Sequence, residues 1–135
     1  MISSARNSRT ILLLASDPLV RTVLQETLEN AGYLVVPAGN LGDAVDRLKT
    51  TKPDLLIIRS YVSDVPGHSA ANYLRKRCPG LPVLMVGGQM EDERLTHRAA
   101  LDCFHTFPKP FSGSELLKEV DGIVLKHLDR RQEVQ

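Results

Sequence analysis

The sequence predicts an α/β domain in which a doubly wound, five-stranded parallel sheet carries helices on both faces. Two observations lead to this fold class. Five short apolar runs alternate with longer amphipathic stretches along most of the 135 residues. Several runs are apolar at consecutive positions, as is typical of strands that helices cover on both sides. Because βαβ connections are right-handed, this alternation winds the helices onto both faces of one sheet.

Each predicted strand is a short apolar run that ends at turn-forming residues. The run after Pro53 and Asp54 is continuous and is predicted to be the central strand. Pro37–Gly39 is interpreted as a turn, and Arg59–His68 as a loop. The predicted strands are, in chain order, Ile11–Ala15, Tyr33–Val36, Leu55–Ile58, Pro82–Val86 and Cys103–Phe107.

Capping residues set the limits of the first three helices. Asp17, which directly precedes Pro18, predicts the start of the first helix, and Gly32 predicts its end. Asn40 is predicted to cap the second helix. Apolar residues at helical spacing predict a third helix over Ser69–Cys78.

Two further helices are predicted in the C-terminal third. Glu91–Leu101 is helical in pattern but polar, and Ser112 and Glu115 have the spacing of a capping box that starts the last helix. The apolar stripe of that last helix is predicted to be Leu117, Val120, Val124 and Leu128. Additional apolar positions, interpreted as surface for a partner, are Leu116, Ile123 and Leu125.

Length and composition indicate one globular domain. We expect a disordered tail over residues 1–9, a domain over residues 10–128 and a polar tail over residues 129–135. A formal net charge of +1 gives no indication of nucleic acid as a partner. No apolar stretch approaches the ~20 residues of a membrane span, and no signal-like segment occurs, so a cytoplasmic location without a membrane partner is expected.

The cysteine and histidine residues indicate no site. Cys78 and Cys103 lie in largely apolar stretches without metal-ligand spacing, so we interpret them as buried free thiols. The four histidines show no spacing of a metal site or a catalytic triad. Neither a metal nor a cofactor is therefore expected.

Four stretches of the sequence form a recognisable series: Ile11–Arg21, Pro53–Ile58, Leu81–Val86 and Pro108–Phe111. Their order and spacing resemble those of the response regulator receiver family, whose members have the flavodoxin-like fold of chemotaxis regulators. The resemblance covers residues 10–128, nearly the whole chain. It implies a (βα)5 domain with strand order 2-1-3-4-5, and a role in two-component, phosphorelay-type signal transduction in bacteria.

The resemblance also implies where a phosphorylation site would lie. Receivers phosphorylate an aspartate at the end of the third strand, beside a Mg²⁺ ion held by two acidic residues after the first strand. A hydroxyl residue and a lysine then contact the phosphoryl group. The corresponding positions are here Ala15 and Ser16 for the acidic pair, Arg59 for the phosphoacceptor, Gly87 for the Ser/Thr switch, Thr106 for the aromatic switch and Lys109 for the lysine.

Only the lysine, Lys109, keeps the residue type of the family, which makes the chain resemble a degenerate member, or pseudo-receiver. At these positions family members have a cleft lined by carboxylates. Here Arg59 and Lys109 would make the charge of that cleft positive instead of negative. Asp17 is interpreted either as the N-cap of the first helix or as a counter-ion for Arg59. We therefore expect no catalytic residue and no metal in this cleft, and an anion is an alternative occupant.

The expected function is that of a phosphorylation-independent signalling and protein-interaction domain rather than an enzyme. By resemblance, its partners would dock on the fourth helix, fifth strand and fifth helix, about residues 91–128, and a homodimer would use the same surface. Two alternatives stay open at this point. One is a phosphorelay response regulator with an unconventional acceptor, and the other is a flavodoxin-like module that binds a small ligand or anion.

Overall fold

Five parallel strands form one sheet, in the order that the resemblance implies. A computed structural model describes residues 9–59, 61–62, 65–86, 105–107 and 112–134. The strands of the sheet are β1 (Thr10–Leu14), β2 (Leu34–Ala38), β3 (Leu55–Arg59), β6 (Val83–Val86) and β7 (His105–Phe107), while β4 (Tyr61–Val62) and β5 (Val65–Pro66) form a separate pair. The order in the sheet is β2-β1-β3-β6-β7, and every pairing in it is parallel. The predicted fold class and strand order are confirmed.

Helices cover both faces of this sheet. The described helices are α1 (Pro18–Asn30), α2 (Leu41–Thr50), α3 (Gly67–Arg77) and α4 (Gly113–Val134). The predicted caps are confirmed by hydrogen bonds to the Asp17 and Asn40 side chains at the starts of α1 and α2. At α4, the backbone N–H of Glu115 donates to Ser112 Oγ, and Ser112 N–H donates to Glu115 Oε1, so the capping box is formed.

Alternate residues of the strands point to two separate apolar layers. One layer packs the sheet against α2 and α3 and includes Leu12, Leu14, Leu56, Ile58, Val83, Met85, Ala44, Ala70, Ala71 and Leu74. The other packs it against α1 and α4 and includes Ile11, Leu13, Leu55, Ile57, Leu84, Val86, Leu24, Leu28, Leu116, Val120, Ile123 and Val124. The central strands are buried on both faces, which accounts for their unbroken apolar runs.

Two of the predicted connections are wrong in detail. Pro37 and Ala38 belong to β2 rather than to a turn. A proline is tolerated there because β2 is an edge strand and pairs only with β1. The predicted loop after β3 contains β4 (Tyr61–Val62) and β5 (Val65–Pro66), which pair in antiparallel fashion.

The last helix differs from its prediction in length and in its buried face. It continues to Val134, six residues past the predicted end. Leu116 and Ile123 are buried in the core, so their interpretation as partner surface is wrong, whereas Leu125 is 40% exposed. The buried face of the helix therefore contains Leu116 and Ile123 together with the predicted Val120 and Val124. Helical spacing in the sequence is compatible with this face and with the predicted one.

Several other predictions lie wholly or partly outside the described residues. The helix over residues 91–101, the thiol of Cys103 and the N-terminal residues 1–8 are among them. Arg9, assigned to a disordered tail, is in place and forms an ion pair with Asp54, with Nη1 3.5 Å from Oδ1. Cys78 is a free, partly buried thiol. None of the helices in the described ranges has the length and apolar character that a membrane crossing requires.

Candidate functional site

The carboxyl edge of the sheet brings together the residues after β1 and the last residue of β3. The two strands are paired in parallel, with Leu14 opposite Ile58. Ala15 and Arg59 therefore come next on neighbouring strands, which lie about 4.8 Å apart. Ala15 is fully buried, and Ser16 and Arg59 are partly buried. Three of the residues singled out from the sequence thus share one edge of the fold.

Asp17 lies just beyond this edge and caps α1. Its Oδ1 accepts hydrogen bonds from the backbone N–H groups of Leu19, at 2.9 Å, and Val20, at 3.4 Å. The side chain is exposed. Among the ion pairs of the described residues, none joins Asp17 to Arg59. Of the two interpretations of Asp17, helix N-cap or counter-ion of Arg59, the structure supports the N-cap.

Arg21 is a cation at this edge that the sequence analysis did not single out. Its Nη1 donates a 2.8 Å hydrogen bond to the backbone carbonyl of Ala15. The guanidinium also lies over Gly39, where a Cβ atom would come within 3.2 Å of Nη1. A positive charge is therefore fixed between the ends of β1 and β2. The signal in the sequence was the i, i+4 spacing from Asp17, which places Arg21 one turn into α1 on the same side.

The other predicted site residues are only partly described. Thr106 is the middle residue of β7, paired with Met85 of β6, so it lies near the same edge. Gly87 and Lys109 lie outside the described residues. Asp54 is at the opposite edge, where its Oδ2 accepts a 2.9 Å hydrogen bond from Thr10 N–H. This position removes Asp54 from consideration as a residue of the carboxyl edge.

The described side chains at this edge do not fit a magnesium ion. Magnesium prefers carboxylate and other oxygen ligands in an octahedral arrangement. Ala15 contributes no carboxylate, and its backbone carbonyl already accepts a hydrogen bond from the Arg21 guanidinium. Within the described ranges, moreover, no three acidic, histidine or cysteine side chains cluster as a metal site needs.

Among the described residues, Arg21 and Arg59 are the cations at this edge, and the Asp17 carboxylate beyond it is engaged in capping α1. Arg21 lies on the β2 side of Ala15, and Arg59 lies on β3, on its other side. Guanidinium groups remain protonated at all physiological pH values and offer only hydrogen-bond donors. The edge is therefore suited to anionic or carbonyl acceptors rather than to a divalent cation.

Comparison with known proteins points to one family. A family model described as the response regulator receiver domain matches residues 11–121. The chain is 30% identical over 129 residues to the alkaline phosphatase synthesis transcriptional regulatory protein PhoP of Bacillus subtilis, covering 94% of this chain and 51% of PhoP. It is 32% identical over 111 residues to a response regulator receiver protein of Anaeromyxobacter, covering 82% of this chain and 42% of that protein. The chain thus spans about half the length of these relatives, or less.

Solved structures show the same fold. A CheY-like receiver domain protein from Methanospirillum hungatei matches with a TM-score of 0.82 and 20% identity, over 90% of this chain and 98% of that one. NtrX from Brucella abortus, solved in complex with ATP, matches with a TM-score of 0.85 and 18% identity, over 94% of this chain and 29% of NtrX. At these identities the likeness concerns the fold alone.

Proposed function

This chain belongs to the family of response regulator receiver domains, and from that premise we propose that it works in two-component signalling without being phosphorylated itself. In this proposal it acts by binding proteins, and none of its residues is catalytic. The observation that carries the proposal is the charge at the carboxyl edge. Arg59 ends the central strand β3, and the Arg21 guanidinium is bonded to the residue after β1.

Phosphorylation of a receiver requires a carboxylate nucleophile and a metal ion that offsets the charge of the incoming phosphoryl group. Arg59 cannot act as that nucleophile, because an arginine side chain does not lose its proton in proteins. Ala15 and Ser16 offer no carboxylate for a metal, and Arg21 adds a positive charge beside them. Both requirements are therefore unmet by the described side chains.

Without phosphorylation, a receiver has no covalent means of changing the populations of its conformations. We propose that this domain presents one form of its partner surface, or that a partner or ligand selects the form. By family resemblance the surface covers about residues 91–128, a homodimer being one of its uses. Of its described part, Leu125 on α4 is an exposed large apolar side chain of the kind that protein interfaces bury.

A phosphorylation assay tests this proposal directly. The purified protein is incubated with acetyl phosphate and Mg²⁺, and its intact mass is measured. We expect the mass to stay unchanged, whereas an intact receiver domain treated in parallel gains one phosphoryl group. A phosphoryl adduct on the wild-type chain would overturn the proposal and favour an unconventional acceptor.

Partner binding is tested with a charge variant at the central strand. Affinity capture is performed with the wild-type protein and with Arg59→Asp under identical conditions. If the cationic edge sets the form of the partner surface, proteins captured by the wild type are reduced or lost with the variant. Equal capture by both proteins would show that Arg59 does not influence the partner surface.

Anion binding at the carboxyl edge is a second candidate function, favoured by the Arg21 guanidinium bonded to the Ala15 carbonyl and by the position of Arg59 on the neighbouring strand β3. A ¹H–¹⁵N NMR titration with inorganic phosphate tests it. We expect saturable shifts at residues 15–21 and at Arg59, and their loss in Arg59→Met. Shifts that do not saturate, or that persist in the variant, would argue against an anion at this edge.

A further inference from the structure

An open groove lies at the opposite, amino-terminal edge of the sheet. A cavity of about 520 Å³ opens where α2 and α3 end, and a second of about 290 Å³ continues toward β6. Lys52, Cys78 and Pro79 line both cavities, so the two form one continuous depression. We call this depression the basic groove. Its lining consists of residues 48–54 and 77–81.

Three cations line the basic groove, two of them held by neighbouring side chains. Lys49 forms an ion pair with Asp46, with Nζ 3.2 Å from Oδ1. The Arg77 guanidinium lies 4.0 Å above the centroid of the Tyr73 ring, and its Nη2 donates a 2.8 Å hydrogen bond to the Tyr73 hydroxyl. Lys52 is exposed between the two cavities. The cations therefore face a shared space rather than separate parts of the surface.

The carboxylate that lines the basic groove is already engaged. Asp54 accepts a hydrogen bond from Thr10 N–H and forms an ion pair with Arg9. These two residues at the start of β1 offset its negative charge. The remaining lining groups include the hydroxyls of Thr50 and Thr51 and the apolar Leu48, Pro79 and Leu81. Because Lys49 is likewise paired with Asp46, the positive charge that the groove offers a ligand comes mainly from Lys52 and Arg77.

The ends of two helices also contribute to the basic groove. α2 ends at Thr50 and α3 ends at Arg77. The N–H groups of Thr51 and Cys78 bond the carbonyls of Arg47 and Leu74, and the carbonyls that follow in each last turn have no partner within the helix. These carbonyls carry partial negative charge and repel a bare anion, whereas they accept hydrogen bonds from N–H groups. A ligand that matches the whole groove therefore brings carboxylates for the cations, N–H donors for the carbonyls and some apolar surface.

We propose that the basic groove binds an acidic peptide segment of a partner protein in an extended conformation. Such a segment carries backbone N–H groups, carboxylates and apolar side chains together. The inference goes beyond the proposed function, because it concerns the edge of the sheet opposite to Arg59. Its failure would leave the phosphorylation assay unaffected.

A peptide titration tests the proposal. The ¹⁵N-labelled protein is titrated with the acetylated, amidated peptide (Glu-Leu)₃, and in parallel with (Gln-Leu)₃, (Lys-Leu)₃ and inorganic phosphate. At residues 48–54 and 77–81, we expect saturable shifts with (Glu-Leu)₃ and with none of the other three ligands. It should also slow the alkylation of Cys78 by iodoacetamide, because Cys78 lines both cavities.

Charge variants complete the test. Lys52→Glu, alone and together with Arg77→Glu, should weaken the binding of (Glu-Leu)₃, and the double variant should do so about tenfold or more. Lys118→Glu on α4 makes the same charge change at an exposed position outside the groove and should leave binding unaltered. Because Lys52 is exposed, its variant keeps the fold even if Arg77→Glu disturbs the end of α3.

Three outcomes would overturn the inference. The first is the absence of saturable shifts with (Glu-Leu)₃ at millimolar concentration. The second is equal binding of (Gln-Leu)₃, since the cations would then play no part. The third is equal saturation of the same residues by inorganic phosphate, which would make the groove a site for simple anions.

Discussion

Replacing Tyr33 by phenylalanine removes one buried hydroxyl group and leaves the aromatic ring in place. Tyr33 lies just before β2 and is 3% exposed, and its hydroxyl donates a hydrogen bond to Oδ1 of Asp121 on α4. Asp121 is itself buried. The bond therefore joins two elements that are 88 residues apart in the chain and pack on the same face of the sheet.

The expected cost of Tyr33→Phe follows from the charge and burial of the acceptor. A hydrogen bond to a charged group contributes about 1.5–3 kcal/mol to stability, and a buried carboxylate that loses a donor keeps its desolvation penalty. We therefore expect the free energy of unfolding to fall by about 2 kcal/mol. In a domain of this size the Tm should fall by roughly 5–10 °C. Urea unfolding followed by circular dichroism, with an unchanged m-value, measures the loss.

Tyr73→Phe is the matched control. The Tyr73 hydroxyl also takes part in a hydrogen bond, with Arg77, but Tyr73 is 41% exposed and water can replace the lost partner. Its loss should change stability by no more than about 0.5 kcal/mol. If Tyr33→Phe proved as mild as Tyr73→Phe, the buried bond between Tyr33 and Asp121 would not stabilise the fold as argued.

Three further predictions concern the core, a helix cap and a thiol. Leu56→Ala, at a fully buried position of the central strand, should lower the free energy of unfolding by about 2–5 kcal/mol in urea unfolding. Asp17→Ala should cost about 1 kcal/mol in the same assay, whereas Asp17→Asn, which keeps an acceptor for the N–H groups of α1, should cost only a few tenths. Burial raises the pKa of the Cys78 thiol, opposed by the Lys52 ammonium group and assisted by Asp54. Alkylation of Cys78, followed by peptide mapping across pH, should therefore have its midpoint above that of the urea-unfolded chain.

Each of these three predictions has a control or a result that would contradict it. Leu34→Ala, at a position that is 58% exposed on the edge strand, should change stability by less than about 0.5 kcal/mol. An equal loss for Asp17→Asn and Asp17→Ala would contradict the capping role. For Cys78, the folded state holds the proton more tightly than the unfolded state. Its contribution to stability is therefore complete below the pKa of the unfolded thiol and is lost as pH rises through the higher folded pKa. A midpoint lower in the folded chain would refute this.

Much of the fold could be predicted because local signals agreed with the global arrangement. The continuous apolar runs at Ile11 and Leu55 correspond to strands buried on both faces. Asp17, Asn40 and Ser112 were placed correctly at helix starts, since each side chain accepts a hydrogen bond from a nearby backbone N–H group. These features depend on residues close together in the chain, which sequence patterns describe well.

The features that were missed depend on tertiary context. Pro37 signals a turn by itself, and only the edge position of β2 makes it acceptable in a strand. Strands as short as Tyr61–Val62 have no detectable period. The buried face of α4 could not be fixed, because Leu116 and Leu117 both extend plausible apolar stripes.

The candidate site was predicted in position but not in all of its parts. The register of β1 and β3 placed Ala15 beside Arg59, as the order of the strands implied. Arg21 was missed because its partner is a backbone carbonyl; its spacing from Asp17 places it on this side of α1 but does not identify the acceptor. Among the described residues, Arg21 thus adds a positive charge that the sequence analysis did not place at this edge.

The central claim is that cations replace the metal-binding carboxylates at the carboxyl edge of the sheet. It is tested most directly by a Mg²⁺ titration of the wild-type protein, followed by ¹H–¹⁵N NMR at residues 14–17 and 58–59. Ala15→Asp/Ser16→Asp/Arg59→Asp, which places carboxylates at all three positions, serves as the comparison. The wild-type resonances should remain unshifted at millimolar Mg²⁺, because Arg21 and Arg59 oppose a divalent cation at this edge. Saturable shifts of the wild-type protein at micromolar Mg²⁺ would contradict the account.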